Sequence, residues 1–202
     1  MLGHPLEYFN GPGRRSLGLR DFPDDPLLQV EAILRIGATP NRVYAVKLFA
    51  STLATVSKTI KWTGALPNLR FIYLRREDLL GQAISWVRAL QTSQYRSTQN
   101  SQGIPIYDVD LIHSHLVALV REQAQWEAYF ARTGILPLRI VYEHLLQDPA
   151  AQVRRIASIM EVARAVVDQS KIDLVIQRDA VSDEWRQRFQ RERGDPNVID
   201  AV

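Results

Sequence analysis

The stretch Leu69-Arg-Phe-Ile-Tyr-Leu-Arg-Arg-Glu-Asp78 runs directly into Leu79-Leu-Gly-Gln-Ala-Ile-Ser-Trp-Val-Arg-Ala-Leu-Gln-Thr92. Residues 69–74 are a short apolar run without polar alternation, which is typical of a strand buried on both faces of a parallel sheet. Asp78 can cap a following helix. The apolar residues of that helix recur at helical spacing at Leu80, Ala83, Ile84, Val87 and Leu90. The stretch therefore predicts an α/β fold, with a parallel sheet flanked by helices on both faces.

Two arginines, Arg75 and Arg76, lie between the predicted strand and the predicted helix. In open α/β sheets, ligands bind at the carboxyl ends of strands, where helix N-termini favour anions. With Ser85 about two turns into the helix, these residues are suited to binding a phosphate. The residues alone leave a second interpretation open, because strand-to-helix corners often carry arginines that are simply solvated.

The rest of the chain shows further helices and strands and one long loop. Residues 11–24 are rich in Gly, Pro and Arg and are predicted to form a loop. Asp25 and Asp148 each precede a proline, a pattern that is typical of helix starts. The predicted helices run from Asp25 to about Ile36, over residues 51–61, from Asp108 or Asp110 to near Gly134, and onward from Asp148. The predicted strands span residues 43–48, 69–74 and 138–142.

The composition bounds the class of protein. A chain of 202 residues, of which 46% are apolar, can bury one core, so residues 1–202 are predicted to form a single domain. The lack of cysteine excludes a disulfide framework, a thiolate metal site and a cysteine nucleophile. No run of about 18 apolar residues and no signal peptide is present, so we expect no membrane span and a cytoplasmic location.

Charge and histidine spacing argue against two other kinds of ligand. The net charge of +3 is modest and does not by itself indicate nucleic acid. His113 and His115 point to different faces of their helix, so no metal site is predicted. The basic residues near the carboxyl end lack interleaved exposed aromatics. They are predicted to form mostly a solvated face: Arg186, Arg188, Arg191 and Arg193.

Three motifs together carry a resemblance to a known family. They are Arg76-Glu-Asp with Gln82-Ala-Ile-Ser85 and Ala89-Leu-Gln-Thr92, then Gly3-x-Pro-x-Glu7-Tyr-Phe9, and finally Gln177-x-Asp-x-x-Ser-Asp-Glu-Trp185. The chain resembles the bacterial trehalose 2-sulfotransferase family and, more loosely, all sulfotransferases that use 3′-phosphoadenosine 5′-phosphosulfate (PAPS). The resemblance implies a P-loop sulfotransferase-like α/β fold. It also implies transfer of a sulfuryl group from PAPS, without a metal, to a hydroxyl of trehalose or a related glycoside or glycolipid.

The resemblance assigns roles to residues of two motifs. The glutamate at the position of Glu7 is the family's proposed general base, because a placed carboxylate can take the proton of a sugar hydroxyl as the bond to sulfur forms. In PAPS-dependent sulfotransferases an arginine at the strand end and a serine on the next helix hold the 3′-phosphate, and they correspond to Arg76 and Ser85. Without the motif, Glu7 would be interpreted as a surface residue of a frayed terminus.

Further candidates lie in a late segment of the chain. In PAPS-dependent enzymes a late loop and the start of a basic helix close over the 3′-phosphate, which makes Gln177, Arg178 and Ser182 cofactor-binding candidates. Tyr142-Glu143 followed by Asp148-Pro149 resembles the sulfotransferase strand-end motif. That pair is expected to be structural rather than catalytic.

Three residues are candidates for contact with the acceptor sugar: Lys47, Gln91 and Tyr95. Lys47 matches the family's Gly-x-Lys-Leu segment, although Ala45 replaces the glycine, and the residues alone favour a strand-end lysine in water. Tyr95 stands where the family has a tryptophan four residues after the glutamine, and either aromatic ring can stack on a sugar. Residues 96–103 are polar and are predicted to form a mobile loop over the cleft or a simple linker.

In the family, a strand and a Ser/Gly/Thr-rich phosphate loop precede the motif that here begins at Gly3. The segment Gly11-Pro-Gly-Arg-Arg-Ser16 is a turn with no strand before it and does not replace that loop. The chain is therefore expected to be N-terminally truncated, with the first strand and the phosphosulfate loop missing. Two alternatives stay open: an inactive remnant that binds adenosine 3′,5′-bisphosphate or a partner, and another phosphate-binding α/β protein such as a nucleotide kinase relative. A homodimer is left open too.

Overall fold

The computed structural model contains a small parallel sheet together with helices and describes residues 2–95, 99–162, 166–168 and 179–194. Strand β1 (Ile72–Arg75) pairs with strand β2 (Leu138–Val141). The register runs from Ile72 opposite Leu138 to Arg75 opposite Val141. The parallel pairing confirms the predicted α/β class. The first strand begins later than predicted, and the second ends one residue early because Tyr142 starts a helix.

The described residues form nine helices. They are α1 (Gly11–Ser16), α2 (Pro26–Ile36), α3 (Ala50–Val56), α4 (Trp62–Ala65), α5 (Leu79–Thr92), α6 (Val109–Thr133), α7 (Tyr142–Gln147), α8 (Pro149–Ile159) and α9 (Ala180–Arg193). Four predicted starts are confirmed, because the carboxylates of Asp25, Asp78, Asp108 and Asp148 each accept a backbone N–H in the first turn that follows. Among the described residues, no helix is both long enough and apolar enough to cross a membrane.

The predicted strand over residues 43–48 is wrong. This segment makes only isolated bridges within the described residues, a parallel one between Leu6 and Val46 and an antiparallel one between Ala38 and Tyr44. Pro5 has no N–H with which to extend a ladder at Leu6. The N–H of Tyr8 turns back to the carbonyl of Leu6, at 3.0 Å. The segments around Leu6 and Val46 therefore meet at a single bridge and do not form a pair of strands.

Two helix predictions need correction. Residues 11–24 were expected to be loop, yet α1 occupies their first part, because the Asn10 side chain accepts the N–H of Gly13 at 3.0 Å and a proline stands in the first turn. The helix predicted over 51–61 ends at Val56. A separate short helix, α4, then precedes the turn at Asn68, whose backbone has a φ of 60°.

The prediction that β1 is buried on both faces is also wrong for the described residues. Tyr73 is buried, and its ring contacts Trp126 and Phe130 of α6 at centroid distances of 6.5 and 5.5 Å. Ile72 and Leu74, which point to the opposite face, are 42% and 53% exposed. An apolar run indicates that a strand has two apolar faces, but it does not indicate which elements cover them.

Two clusters of buried side chains support the regions where candidate residues lie. The amino-terminal cluster includes Tyr8, which is fully buried, together with residues of α2 and α3. The helical cluster joins α5, α6 and α9. Its buried members are Ala83, Ile84, Val87, Ile112, Leu119, Trp185 and Phe189. Burial of these apolar side chains fixes α9 against α5 and anchors the segment that carries Glu7.

Candidate functional site

Glu7 and Lys47 meet although 39 residues of chain separate them. An Oε atom of Glu7 lies 2.7 Å from Nζ of Lys47. The neighbouring backbone sets this geometry, because the N–H of Lys47 donates to the carbonyl of Leu6 at 2.9 Å. Tyr8, the next residue along, is buried and donates its hydroxyl to the carbonyl of His4 at 3.1 Å. Two residues that the sequence singled out separately thus form one ion pair.

The environment of Glu7 keeps its carboxyl group ionised. Burial raises the pKa of Glu7, but the hydrogen bond and charge of Lys47, the amide of Asn10 and the charge of Arg14 lower it, and the net shift is downward. Asn10 contributes through its Nδ2 atom, 3.4 Å from the second carboxylate oxygen. Near neutral pH, Glu7 is therefore a carboxylate that is able to accept a proton.

Arg76 lies just beyond the carboxyl end of β1 and is stacked on an aromatic ring. Its guanidinium carbon is 3.9 Å from the centroid of the Tyr142 ring, which directly follows β2. Its carbonyl accepts a hydrogen bond from Nε2 of Gln123 on α6, at 3.4 Å. The ring contact restricts the orientation of the guanidinium.

Glu143 fastens the turn between β1 and α5. Its carboxylate accepts the N–H groups of Glu77 and Asp78, at 3.2 and 3.3 Å. Burial raises the pKa of Glu143, but these backbone N–H groups and the charge of Arg76 produce a net lowering. Tyr142 and Glu143 therefore act on the turn through contacts that hold it in place. The sequence indicated a structural role for Tyr142 and Glu143, but it did not indicate that they contact the turn between β1 and α5.

Ser85 lies on α5 with its side chain exposed. Its hydroxyl makes no hydrogen bond to any residue that the structure describes. Arg76 and Ser85 thus flank the same helix start, the first before its Asp78 cap and the second in its second turn. The role of these two residues in binding a phosphate stays a prediction.

Ser182, a predicted cofactor residue, is engaged in an ion-pair cluster. Arg88 on α5 donates to both carboxylate oxygens of Asp179, at 2.6 and 2.8 Å, and also to Oγ of Ser182. Asp179 in turn accepts the N–H and the hydroxyl of Ser182, at 2.9 and 3.0 Å. The hydrogen bond from Arg88 holds the pKa of Asp179 far below its usual range. Gln177 and Arg178 lie outside the described residues.

A second ion pair joins the same two helices. Nη2 of Arg186 lies 2.6 Å from Oδ2 of Asp78, the cap of α5. A Cβ at Gly81 would lie 2.4 Å from that carboxylate oxygen and 2.6 Å from the guanidinium, so a larger residue there would displace the pair. The predicted, mostly solvated basic face of α9 is confirmed at Arg188, Arg191 and Arg193, which are exposed, whereas Arg186 is partly buried. Arg186 pairs with Asp78, Arg188 with Glu192, and Arg193 with Asp110.

The acceptor-side candidates Gln91 and Tyr95 differ in their surroundings. The amide of Gln91 donates to the carbonyl of Ile106 at 3.0 Å and accepts the N–H of Ile106 at 2.8 Å. Its side chain thus holds the backbone of the segment that precedes α6. The Tyr95 residue is 61% exposed, and its N–H donates to the side chain of Gln99 at 2.8 Å.

Metal ligands do not converge in the part of the chain that the structure describes. No three histidine, aspartate or glutamate side chains come together there in a group that could hold an ion. The ring of His115 instead contacts the ring of Trp86, at a centroid distance of 4.6 Å, and burial lowers its pKa. The candidate site therefore consists of carboxylate, cationic and hydroxyl side chains.

Comparison with known proteins gives one family and two similar proteins. A model described as the Stf0 sulphotransferase family matches residues 23–192. A trehalose 2-sulfotransferase of Mycobacterium tuberculosis (strain Erdman) is 28% identical over 190 residues, covering 83% of this chain and 68% of that protein. A trehalose 2-sulfotransferase of Mycolicibacterium smegmatis is 24% identical over 180 residues, covering 79% of this chain and 65% of that protein. The chain thus spans about two thirds of the length of these relatives.

Proposed function

Because the chain belongs to the Stf0 sulphotransferase family, we propose that it transfers a sulfuryl group from PAPS to a carbohydrate hydroxyl. Both similar proteins are named for trehalose, so trehalose or a related glycoside or glycolipid is the proposed acceptor. The observation that carries the proposal is the ionised Glu7 carboxylate, paired with Lys47 at 2.7 Å, within the motif that begins at Gly3.

Glu7 is the proposed general base. A sugar hydroxyl is a poor nucleophile near neutral pH, and a carboxylate within reach of it removes the proton as the new O–S bond forms. The lowered pKa of Glu7 keeps the group deprotonated. When the acceptor hydroxyl displaces part of the contact with Lys47, the carboxylate becomes more basic, because it loses the hydrogen bond that lowers its pKa.

Arg76 and Ser85 are the proposed ligands of the donor's 3′-phosphate. PAPS supplies the activated sulfuryl group, and the protein's part is to position the donor and neutralise charge. The stack of Arg76 on Tyr142 supports this assignment, since a guanidinium with a fixed plane loses less freedom on binding a phosphate. The exposed hydroxyl of Ser85 adds a hydrogen-bonding group on the helix that follows.

The remaining candidates have different proposed parts. Lys47 contacts the acceptor or the transferred group through its half-exposed ammonium. Tyr95 offers an exposed ring to a sugar face. Gln91 contributes to the acceptor site indirectly, by holding the backbone of Ile106 through two hydrogen bonds. Ser182 is proposed to support the donor site from within its cluster with Arg88, and Gln177 and Arg178 extend that proposal to the preceding segment.

The test is a transfer assay with PAPS and a panel of sugars, read by mass spectrometry of the sulfated product. Transfer to trehalose or a related glycoside is expected, and Glu7→Gln should abolish it while leaving the binding of adenosine 3′,5′-bisphosphate intact. A chain that sulfates no sugar but prefers adenosine 3′,5′-bisphosphate to adenosine 5′-monophosphate would be a binding protein only. Equal binding of both nucleotides would contradict the assignment of a 3′-phosphate site.

A further inference from the structure

Arg14 is a buried cation that the proposed roles do not use. It lies on α1 and is 8% exposed, whereas the other arginine of that helix, Arg15, pairs with Asp24 at 2.9 Å. The guanidinium of Arg14 makes no hydrogen bond and no ion pair to the residues that the structure describes. Its Nε atom is fully buried and lacks an acceptor.

A buried guanidinium without an acceptor is costly, because the charge loses its hydration and gains nothing in return. Natural proteins retain such groups where a ligand supplies the missing acceptor, or they satisfy them with water.

Asn10 connects Arg14 to Glu7, because its carbonyl accepts the N–H of Arg14 at 2.9 Å and its side-chain amide donates to Glu7 at 3.4 Å. The charge of Arg14 therefore acts close to Glu7. It contributes to the lowering of the pKa of Glu7, and it opposes the raising effect of burial on the pKa of Tyr8. Lys47 already pairs with Glu7 at 2.7 Å, so two cations lie near one carboxylate. Only one of them, Lys47, is within ion-pairing distance of it. Among the described residues, Arg14 therefore has no carboxylate partner of its own.

We propose that Arg14 and Lys47 form a cationic subsite beside Glu7 that binds the sulfuryl group as it is transferred. The inference rests on the proposed function. A sulfuryl group carries one negative charge on oxygens that a guanidinium can bind through two N–H groups. Arg14 thus supplies the cation that remains available while Lys47 is still paired with Glu7.

The chemical step balances with these groups. The acceptor oxygen forms a bond to sulfur and gives its proton to a carboxylate oxygen of Glu7. The bond between sulfur and the phosphate oxygen of the donor breaks, and its electron pair leaves with that phosphate. Once Glu7 is neutral, its attraction for Lys47 weakens, so both Lys47 and Arg14 face the sulfate ester of the product.

The subsite predicts a preference for sulfated ligands. We would measure the binding of trehalose 2-sulfate and of trehalose to the full chain by calorimetry at constant ionic strength. Binding of the sulfated sugar should be about tenfold or more tighter, as expected for charge-assisted hydrogen bonds. Arg14→Met should remove the preference and Arg14→Lys should restore part of it. Arg20→Met, which removes an exposed arginine from the same segment, should leave it intact.

A measurement on the unmutated chain guards against misfolding of the Arg14 variant. In protein labelled with ¹⁵N-arginine, inorganic sulfate and trehalose 2-sulfate should each shift the Nε–H resonance of Arg14, and trehalose should not. If neither anion moves that resonance more than it moves the resonance of Arg20, or if Arg14→Met folds and keeps the preference, the subsite is refuted. An effect with inorganic sulfate alone would mean an adventitious ion only.

The two proposals fail in different ways. If the chain transfers sulfuryl groups but Arg14→Met keeps its preference for the sulfated sugar, the subsite is wrong and the proposed function stands. If no sugar is sulfated but the preference depends on Arg14, the anion subsite stands and the transferase proposal is wrong.

Discussion

The two regions that carry the candidate residues are built in opposite ways. Around Glu7, chain segments cross at an isolated bridge, one ion pair forms, and a buried arginine keeps no partner among the described residues. Around α5, by contrast, Arg88 and Arg186 are each paired with a carboxylate, and Arg76 is stacked on a ring. The first region has charge available for a ligand, whereas the second is already fixed by the protein's own contacts.

This difference separates two kinds of task. A reacting centre needs groups whose interactions with the substrate are stronger in the transition state than in the ground state. A charged side chain without an ion-pair partner in the free protein is therefore useful there. A site that holds a cofactor benefits from side chains that are fixed before binding. This difference supports the proposal that the Glu7 region takes part in proton transfer and that the region of α5 binds the nucleotide part of the donor.

The largest effect is expected for Glu7→Gln. Turnover should fall about 100-fold or more, because the amide cannot accept the proton, while the affinity for adenosine 3′,5′-bisphosphate stays unchanged. Steady-state kinetics with the acceptor and calorimetry with the bisphosphate separate the two quantities. Unchanged turnover would remove Glu7 from the mechanism and end the contrast between the two regions.

The next largest effect is expected for Arg76→Ala. The preference for adenosine 3′,5′-bisphosphate over adenosine 5′-monophosphate should disappear, a loss of about 1.5–3 kcal/mol for hydrogen bonds to a charged group. Calorimetric titration with both nucleotides gives the ratio. Arg75→Ala is the matched control, because Arg75 makes only a loose contact, at 3.9 Å, with Glu77. An equal loss in both variants would mean that general charge, and not Arg76, creates the preference.

A smaller effect is expected on stability for Arg88→Met. The free energy of unfolding should fall by about 1 kcal/mol near neutral pH, because Asp179, half-exposed, loses its ion pair. Arg191→Met, on the exposed side of α9, is the control and should change stability little. Urea unfolding across a series of pH values measures both.

The same pair predicts a dependence on pH with a defined sign. Since the folded-state pKa of Asp179 lies below its ordinary value, the pair stabilises fully above the ordinary range of an aspartate, near pH 4, and less as pH falls below it. The stability difference between the unmutated chain and Arg88→Met should therefore shrink in acid. A difference that stays constant from neutral pH down to about pH 2 would contradict the assigned ion pair.

The smallest effect is expected for Gln91→Ala. Loss of two hydrogen bonds to Ile106 should cost about 1 kcal/mol or less and speed the exchange of the Ile106 amide hydrogen. Gln125→Ala, exposed on α6, is the control. Unchanged exchange at Ile106 would show that Gln91 does not hold this segment and would return it to the set of direct acceptor contacts.

Local chemistry accounts for the parts of the fold that were predictable from the sequence. A carboxylate that caps the next few N–H groups acts within one turn, so Asp25, Asp78, Asp108 and Asp148 each revealed a helix start. The wrong strand over residues 43–48 depended on a distant segment, because Pro5 limits what that segment can pair with. The exposure of one face of β1 was likewise not predictable, because it depends on which distant elements pack against that face.

In the candidate site, too, local motifs were predictable from the sequence, whereas long-range contacts were not. Glu7 and Lys47 were found from motifs, but their ion pair follows from the backbone contact between Leu6 and Lys47, which no local pattern shows. Arg88 was missed because its partner, Asp179, is 91 residues away along the chain. Arg14 was missed because its segment was interpreted as loop, although the Asn10 cap was a readable signal of a helix.

The two ion pairs between α5 and α9 also impose an order in time. Arg88 and Asp179 are 91 positions apart, and Asp78 and Arg186 are 108 positions apart. The ribosome therefore synthesises α5 long before the two residues of α9 that pair with it. During translation, Arg88 cannot pair with Asp179, nor Asp78 with Arg186, until α9 has left the ribosome. The region of α5, where we propose that the donor binds, therefore acquires these contacts late. A nascent chain that is interrupted before Asp179 carries both strands and α5 without the ion pairs of Arg88 and Asp78.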